Sequence, residues 1–176
     1  MESKVLNRNF YQRKAKIVAP LLLGKYLVRQ IGDKKIIGKI TEVETYLGEK
    51  DPAAHVSKGR TKRTEIIYGK AGHAYIYIIH GHIALNVVCE TIDSPGSVLI
   101  RSIEAVKNIT TSTNGPGKLT KAMAITKDLY GIDLTNKKSG LYICDGEKVK
   151  KDSILITPRI GVRDAKDWLL RFVIKK

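Results

Sequence analysis

The stretch Ile36-Ile-Gly-Lys-Ile-Thr-Glu-Val-Glu-Thr-Tyr46 predicts a long strand, since β-branched residues dominate it. Gly32-Asp33 predicts the turn of a hairpin that joins it to a first strand at 26–31. Every second residue of a strand shares a face. The face predicted here comprises Ile40, Glu42, Glu44 and Tyr46. Carboxylates beside an aromatic ring on a strand face are uncommon, so this face is the first candidate for a functional site.

The remaining segments predict many short strands and few helices. A helix is predicted over 14–23, which an internal proline kinks or ends and Gly24 stops. Asp51 is predicted to cap a short helical turn, and Gly115-Pro116 to open another helix. Further strands are predicted at 74–80, 86–90, 98–106, 141–144, 154–157 and 170–174. This order predicts an α+β fold, a single domain over 1–176 with a curved, largely antiparallel sheet flanked by short helices.

The charge balance of the chain is strongly basic. In 176 residues, 32 Lys and Arg against 17 Asp and Glu give a formal net charge of +15, which favours a polyanionic partner, most simply nucleic acid. The hydrophobic content of 43% excludes disorder caused by low hydrophobicity. No apolar run approaches about 18 residues, so no membrane span is expected, and no secretory signal is apparent. Cys89 and Cys144 alone make neither a disulfide framework nor a four-ligand zinc site, so a reducing compartment is expected.

The two signs of charge are separated along the sequence. Basic residues are concentrated at 58–70 and 159–176, which are the expected phosphate contacts. The acids gather at Glu42, Glu44, Glu49 and Asp51. A carboxylate in a DNA-binding surface repels phosphate, so this acidic island is expected to do chemistry. Lysines scattered over a solvated surface remain an alternative explanation of the positive charge.

Nucleotide and metal motifs are missing from the sequence. Gly117-Lys118 does not belong to a phosphate-binding loop, no Gly-x-Gly-x-x-Gly follows a strand, and no Cys-x-x-Cys occurs. His80-Gly81-His82 has no third ligand nearby, so two polar residues at a strand end are the simpler interpretation. Neither a metal nor an organic cofactor is expected.

Short motifs follow one another in order from about residue 10 to residue 174. They are Val43-Glu-Thr-Tyr-Leu-Gly48, Asp51, Ala53-Ala-His55, Arg60-Thr-x-Arg63, Tyr75-Ile-Tyr-Ile-Ile-x-Gly81, Asn86, Val98-Leu-Ile-Arg101, Gly115-Pro-Gly-Lys-Leu119, Ala122, Ala124-Ile125, Arg159-Ile-Gly-Val162 and Arg171-Phe172. In this order they resemble the alkyladenine (3-methyladenine) DNA glycosylase family. Each string alone is weak evidence, whereas the ordered set is specific.

The resemblance implies a monofunctional DNA glycosylase of base excision repair, which flips a damaged purine out of the helix and hydrolyses its N-glycosidic bond. The implied substrates are 3-methyladenine, 7-methylguanine and hypoxanthine. Glu44 matches the carboxylate that deprotonates or orients the attacking water. Asn86 matches the residue that helps reject the exocyclic amine of guanine. The implied base-binding set is Tyr46 and His55 on one side of the base, Tyr77 on the other, and Asn86 and Leu99.

The resemblance also implies a partner, duplex DNA that contains a damaged purine. The implied DNA-binding residues are Arg60, Thr61, Arg63, His80, Gly81, His82, Arg101 and Lys118. His80 stands where the family usually inserts a tyrosine into the gap left by the flipped base, and the stretch from Gly81 to Asn86 is one residue shorter than usual. The wedge is therefore His80 or His82. A monomer is expected, in the cytoplasm with the nucleoid of a prokaryote or in the nucleus of a eukaryote.

Two other classes of function stay open. A non-catalytic nucleic-acid-binding module explains the charge of +15 but not Glu44 among aromatic residues. A metal-dependent nuclease would use Glu42, Glu44 and Asp51 as oxygen ligands. Glu42 itself has two interpretations, a direct role in the chemistry or a structural acid beside Glu44.

Overall fold

The strand that carries both carboxylates lies inside the sheet, with strands on either side. In the computed structural model, which describes residues 3–175, it extends over Lys34–Tyr46 and is β2. The other strands are β1 (Tyr26–Ile31), β3 (Ala74–Ile79), β4 (His82–Cys89), β5 (Gly96–Lys107), β6 (Leu141–Cys144), β7 (Ile154–Pro158) and β8 (Leu169–Ile174). The α-helices are α1 (Arg8–Tyr11), α2 (Ala15–Leu22) and α3 (Pro116–Ala122). Short 3-10 helices lie at His55–Lys58, Glu65–Tyr68, Lys127–Leu129, Lys137–Ser139 and Lys151–Ser153.

The strands pair antiparallel in the order β3-β4-β5-β2-β1-β6, and β8 pairs with both β2 and β7. One edge of β2 stays with β5. The other edge pairs with β1 over Lys34–Lys39 and then with β8 over Glu42–Glu44. The sheet therefore branches halfway along β2 and curls. The predicted α+β fold with a curved antiparallel sheet is confirmed.

The main hydrophobic core packs α2 and α3 against one face of this sheet. Leu22 of α2 and Leu119 of α3 are fully buried with Leu85 of β4, and burial of such a side chain contributes about 1.5–3 kcal/mol. α2 continues past its internal proline, and Gly24 then turns the chain into β1 with a φ of +80°. The core fixes the position of β2, whose other face bears the carboxylates.

A β-bulge at Thr41 changes which residues of β2 share a face. Ile40 pairs with Ile103 of β5, whereas Glu42 pairs with the preceding residue of β5, so Thr41 is an extra residue. Ile40 packs in the main core together with Val43. The prediction that Ile40 lies on the same face as the carboxylates is therefore wrong, because the bulge shifts the alternation by one residue.

The turn after β2 is capped by Asp51 as predicted, since the Asp51 carbonyl accepts from the Ala54 amide at 2.9 Å. Its carboxylate accepts hydrogen bonds from the Leu47 and Ala53 amides, both at 3.1 Å. The 3-10 helix starts later, at His55. The carboxylate of Asp51 also forms a fully buried ion pair with Arg159, 108 residues away, which the sequence did not predict.

Candidate active site

Glu44 is the carboxylate that the fold buries most completely on this face. Its exposed fraction is 0%. The Ile160 amide donates to Oε1 at 2.8 Å, and the Tyr46 hydroxyl donates to Oε2 at 3.3 Å. Burial raises the pKa of Glu44, and the charge of Arg101 and the Ile160 hydrogen bond oppose that rise only in part. A carboxylate offers about four acceptor positions, so acceptor capacity remains beyond these two hydrogen bonds.

Arg101 reaches Glu44 because it occupies a second β-bulge. Glu42 pairs with Ser102 and Val43 pairs with Ile100, which leaves Arg101 as the extra residue on β5. A bulge re-aims a side chain, and bulges are common beside active sites. The Nε atom of Arg101 lies 3.4 Å from Glu44 Oε1 and 2.9 Å from Glu42 Oε1. One guanidinium thus lies between the two acids.

Glu42 lies in a different environment from Glu44. It accepts hydrogen bonds from Arg101 Nε at 2.9 Å, from Arg171 Nε at 2.7 Å and from the Ser102 hydroxyl at 3.0 Å. Burial alone would raise the pKa of Glu42, but the donors from Arg171, Arg101 and Ser102 outweigh it and leave the pKa lowered. Charge-assisted hydrogen bonds therefore hold Glu42 in its ionised form.

A cavity of about 640 Å³ lies beside Glu44. Three residues that contact Glu44 also line this cavity, namely Tyr46, Arg101 and Ile160. The cavity brings together all five predicted base-binding residues, which are Tyr46, His55, Tyr77, Asn86 and Leu99. Its aromatic walls and its few polar groups are typical of a site for a planar ligand.

The rings of His55 and Tyr77 lie next to each other on one wall. Their centroids are 4.5 Å apart with an interplanar angle of 80°. A hydrogen bond of 2.8 Å joins His55 Nδ1 to the Tyr75 hydroxyl. Burial, with the charge of Arg63 as the smaller cause, lowers the pKa of His55, so its ring is neutral at pH 7. This geometry groups His55 with Tyr77, whereas the sequence predicted that it would pair with Tyr46.

The Tyr46 ring is supported from behind by Arg159. The Arg159 guanidinium lies 4.8 Å from the ring centroid. The same guanidinium donates to the Thr45 carbonyl at 3.0 Å and, through Nη2, to Asp51 Oδ1 at 2.9 Å. Both Arg159 and Asp51 have fully buried side chains. The next residue, Ile160, holds Glu44, so this buried pair positions the stacking ring and the carboxylate together.

The predicted DNA-binding residues separate into two groups. Arg63, His80 and Arg101 line the cavity. Arg60 is instead engaged with Glu65 at 2.6 Å and Asp93 at 3.1 Å, and it stacks on a tyrosine ring. The Thr61 hydroxyl is 3.0 Å from that of Thr64 inside a turn. Arg60 and Thr61 thus shape the loop beside the cavity, and Lys118 is exposed on α3.

The tip of the β3–β4 hairpin exposes the two candidate wedge residues. His80 and Gly81 form a two-residue turn, with φ values of +48° and +77°. His82 lies against α3, since a Cβ added at Gly117 would be 2.8 Å from the Cβ of His82. Only His80 of the two lines the cavity. The shorter turn noted in the sequence thus leaves His80 at the tip and Asn86 buried at the cavity wall.

The carboxylates that a metal-dependent nuclease needs do not form a ligand set. Asp51 is paired with Arg159, Glu42 with two arginines, and Glu44 with an amide and a hydroxyl. Among residues 3–175 no group of three or more His, Cys, Asp or Glu side chains is arranged to hold a metal ion.

Within the same residues no helix is long and apolar enough to cross a membrane.

Sequence reasoning missed three groups of the site. Arg159 is only one member of the string Arg159-Ile-Gly-Val162, and nothing in the sequence pairs it with Asp51. Ile160 acts through its backbone amide, which has no signature in a side-chain pattern. Tyr75 was predicted only as a residue of the strand at 74–80. It lies on the same face of that strand as Tyr77, and its hydroxyl is hydrogen-bonded to His55. The alternation of Tyr75 with Tyr77 in the sequence could have identified it.

Comparison with known proteins gives one consistent result. Residues 9–176 match the family described as methylpurine-DNA glycosylase (MPG). A candidate 3-methyladenine DNA glycosylase of Legionella pneumophila (strain Corby) is 48% identical, covering 97% of this chain and 94% of the relative. Proteins with the same description from Carboxydothermus hydrogenoformans and Sodalis glossinidius are 43% and 41% identical, and they cover 97% and 98% of this chain and 95% and 98% of their own lengths.

Proposed function

The chain belongs to the methylpurine-DNA glycosylase family, and from that premise we propose that it removes 3-methyladenine, 7-methylguanine and hypoxanthine from duplex DNA by base flipping and Glu44-assisted hydrolysis. It is a DNA glycosylase, a hydrolase that acts on DNA. The proposed reaction is the first step of base excision repair.

The observation that carries the proposal is Glu44 buried against three residues of an aromatic cavity. In the proposed step, a water oxygen forms a bond to C1′ of the flipped nucleotide and the C1′–N bond breaks. The base departs with the bonding electron pair, and Glu44 takes a proton from the water. A raised pKa suits a general base, because proton transfer is most effective when the pKa lies near the working pH. The carboxylate charge also stabilises the oxocarbenium character that develops on the sugar.

The cavity walls support the proposed choice of base. In the proposed complex the base lies between the Tyr46 ring on one side and the neighbouring His55 and Tyr77 rings on the other. Stacking of a base on an aromatic side chain contributes about 1–3 kcal/mol, and an electron-rich ring favours a cationic alkylpurine. His55 has a neutral ring, which does not repel that cation. Asn86, buried at the cavity wall, is the proposed group that rejects the exocyclic amine of guanine.

The proposed DNA contact surrounds the cavity mouth. We assign the wedge to His80, because it lies at the tip of the hairpin and lines the cavity, whereas His82 lies beside Gly117 of α3 and does not line the cavity. The exposed basic residues of segments 58–70 and 159–176, among them Arg63 and Arg163 at the cavity, supply positive charge for phosphates. The proposed state of the protein is a monomer. The proposed place of action is that of the genome, the nucleoid in the cytoplasm of a prokaryote or the nucleus of a eukaryote.

Replacement of Glu44 by Gln tests the proposal. We expect base release to fall by about 10²- to 10⁴-fold, the usual contribution of a general base, while binding to lesion DNA is retained. The assay uses an oligonucleotide duplex with one hypoxanthine, incubated with EDTA and then treated with alkali to cleave abasic sites.

Glu104→Gln is the matched control, because Glu104 is a largely exposed carboxylate on β5 that pairs with Lys39. It should behave as the parent protein. Strand cleavage that needs Mg²⁺ would indicate a nuclease, and binding without any base release would indicate a non-catalytic module. Full turnover by Glu44→Gln would contradict the role of this residue.

A further inference from the structure

The feature with the most specific geometry outside the reacting groups is the position of Arg101 between two carboxylates. Its Nε atom is closer to Glu42 Oε1, at 2.9 Å, than to Glu44 Oε1, at 3.4 Å. Arg101 is also the extra residue of a bulge and lines the base cavity. Its side chain is therefore directed by its ion-pair partners as well as by its strand.

Glu42 does not touch the base cavity. It lies where the pairing partner of β2 changes from β1 to β8, and it lines a separate depression together with Arg171. Its side chain is 9% exposed, and its oxygens are engaged by two guanidinium groups and the Ser102 hydroxyl. A buried ionised carboxylate with three donors is held firmly in place.

We propose that Glu42 is a positioning residue for the glycosylase reaction: it retains Arg101 by Nε, so that Arg101 does not close onto Glu44 and keeps its terminal nitrogens at the base cavity. This inference rests on the proposed role of Glu44. Removing the charge of Glu42 leaves Glu44 as the nearest carboxylate to Arg101. The guanidinium then moves toward Glu44, which loses acceptor capacity for the attacking water.

Each charged group near Glu44 either raises or lowers the pKa of its carboxyl. Glu42 on the same strand raises the pKa of Glu44, and Arg101 on β5 lowers it. Tyr46 and the Ile160 amide donate hydrogen bonds to the carboxylate, and Tyr77 on β3 lies close enough for its own pKa to respond to the charge of Glu44. On β8, Arg171 is paired with Glu44 in the strand register but gives its Nε to Glu42. Loss of Glu42 therefore shifts the balance toward the cations.

The test is a pH profile of single-turnover base release from a hypoxanthine duplex, measured for Glu42→Gln. We expect the acid limb of the profile to move to lower pH by about one unit, and the plateau rate to fall about tenfold. Binding to the same duplex should change by less than about threefold, because Glu42 does not line the cavity. A residue with a purely structural role would lower the rate without moving the acid limb.

Two further variants make the test decisive. Arg171→Gln removes the cation that shares Glu42, so Glu42 should hold Arg101 more tightly and the acid limb should move to higher pH. Glu104→Gln makes the same change of charge on β5 at a largely exposed position and should leave the profile unchanged. Opposite shifts for Glu42→Gln and Arg171→Gln support the inference, even if one of the two variants is less stable in thermal unfolding.

The outcomes also separate this inference from the proposed function. If Glu44→Gln is inactive and Glu42→Gln has the parent profile, the inference is overturned and the role of Glu44 stands. An unshifted acid limb in Arg171→Gln, or the same shift in Glu104→Gln as in Glu42→Gln, overturns it as well. If Glu44→Gln keeps full turnover, the proposed function fails first.

Discussion

The floor of the base cavity and the tip of the β3–β4 hairpin are built by opposite means. At the floor, the side chains of Glu44 and Arg159 are fully buried, and apart from the Tyr46 hydroxyl their polar partners lie far away in sequence. At the tip, His80 and Gly81 are exposed and held by little more than the turn itself. The side chains at the floor are therefore held in place by the protein itself, whether or not DNA is bound. The side chain at the tip has few contacts within the protein, so its contacts with DNA would have to hold it. A substitution at the floor should change stability and chemistry, and one at the tip should change binding alone.

The strongest way to break this contrast is to remove Arg159. Arg159→Met leaves the Asp51 carboxylate buried without its partner, and such a change costs about 3–5 kcal/mol. We expect the free energy of unfolding, measured by urea titration at pH 7, to fall by that amount. Base release should also fall, because Tyr46 loses its support and Ile160 is displaced from Glu44.

Arg163→Met is the matched control for Arg159. Arg163 is exposed at the cavity mouth, four residues along the same segment. Its loss should change the free energy of unfolding by less than about 0.5 kcal/mol. Equal losses for both variants would mean that the buried pair does not organise the floor.

The floor also shows how far a sequence can predict a site. The ordered strings brought Glu44, Tyr46, His55 and Tyr77 to one candidate site, and the cavity contains the three aromatic residues with Glu44 against its wall. Strand alternation failed at Thr41, because a bulge depends on pairing with β5 and not on the residues of β2 alone. The same holds for Arg101, whose direction is set by the second bulge.

Long-range partners were out of reach for a related reason. Asp51 is a good helix cap by its type, and only the fold brings Arg159 to its carboxylate and turns it into an ion-pair partner. Arg60 was implied to contact DNA by its place in a family motif, and the fold adds Glu65 and Asp93 as its ion-pair partners. Residue type predicted what these side chains can do, while the tertiary partners decide which ability is used.

A second prediction sharpens the contrast, because burial of the ionised Glu44 carboxylate lowers the free energy of unfolding at pH 7. Burial raises the pKa of Glu44 above its usual 4.5, so the native state holds this proton more tightly than the unfolded state. Stability from the protonated carboxyl is fully present below pH 4.5 and is lost as the pH rises through the native pKa. Glu44→Gln does not ionise, and its amide can still accept from Ile160 and donate to the Tyr46 hydroxyl.

The Gln variant should therefore be more stable than the parent protein at pH 7, by about 1 kcal/mol for each unit of raised pKa. The difference should shrink toward zero at pH 4. Parallel urea titrations of both proteins at the two pH values measure it, and other titrating groups cancel in the comparison. A Gln variant that is less stable at pH 7 would show that the hydrogen bonds to Glu44 outweigh its burial.

The smallest expected effect is at the tip, where His80→Asn keeps the turn and removes the ring. Asparagine tolerates the positive φ of this position better than most residues, so the free energy of unfolding should change by less than about 0.5 kcal/mol. Affinity for a hypoxanthine duplex should fall about fivefold, close to 1 kcal/mol and at the low end of a lost stacking contact. Affinity for the same lesion in single-stranded DNA should hardly change, since no gap in a base stack needs filling there.

The control is His82→Asn, at a residue that lies beside Gly117, and it should leave both affinities near those of the parent protein. If His82→Asn instead weakens duplex binding more than His80→Asn, then the wedge is His82, and α3 must move aside when DNA binds.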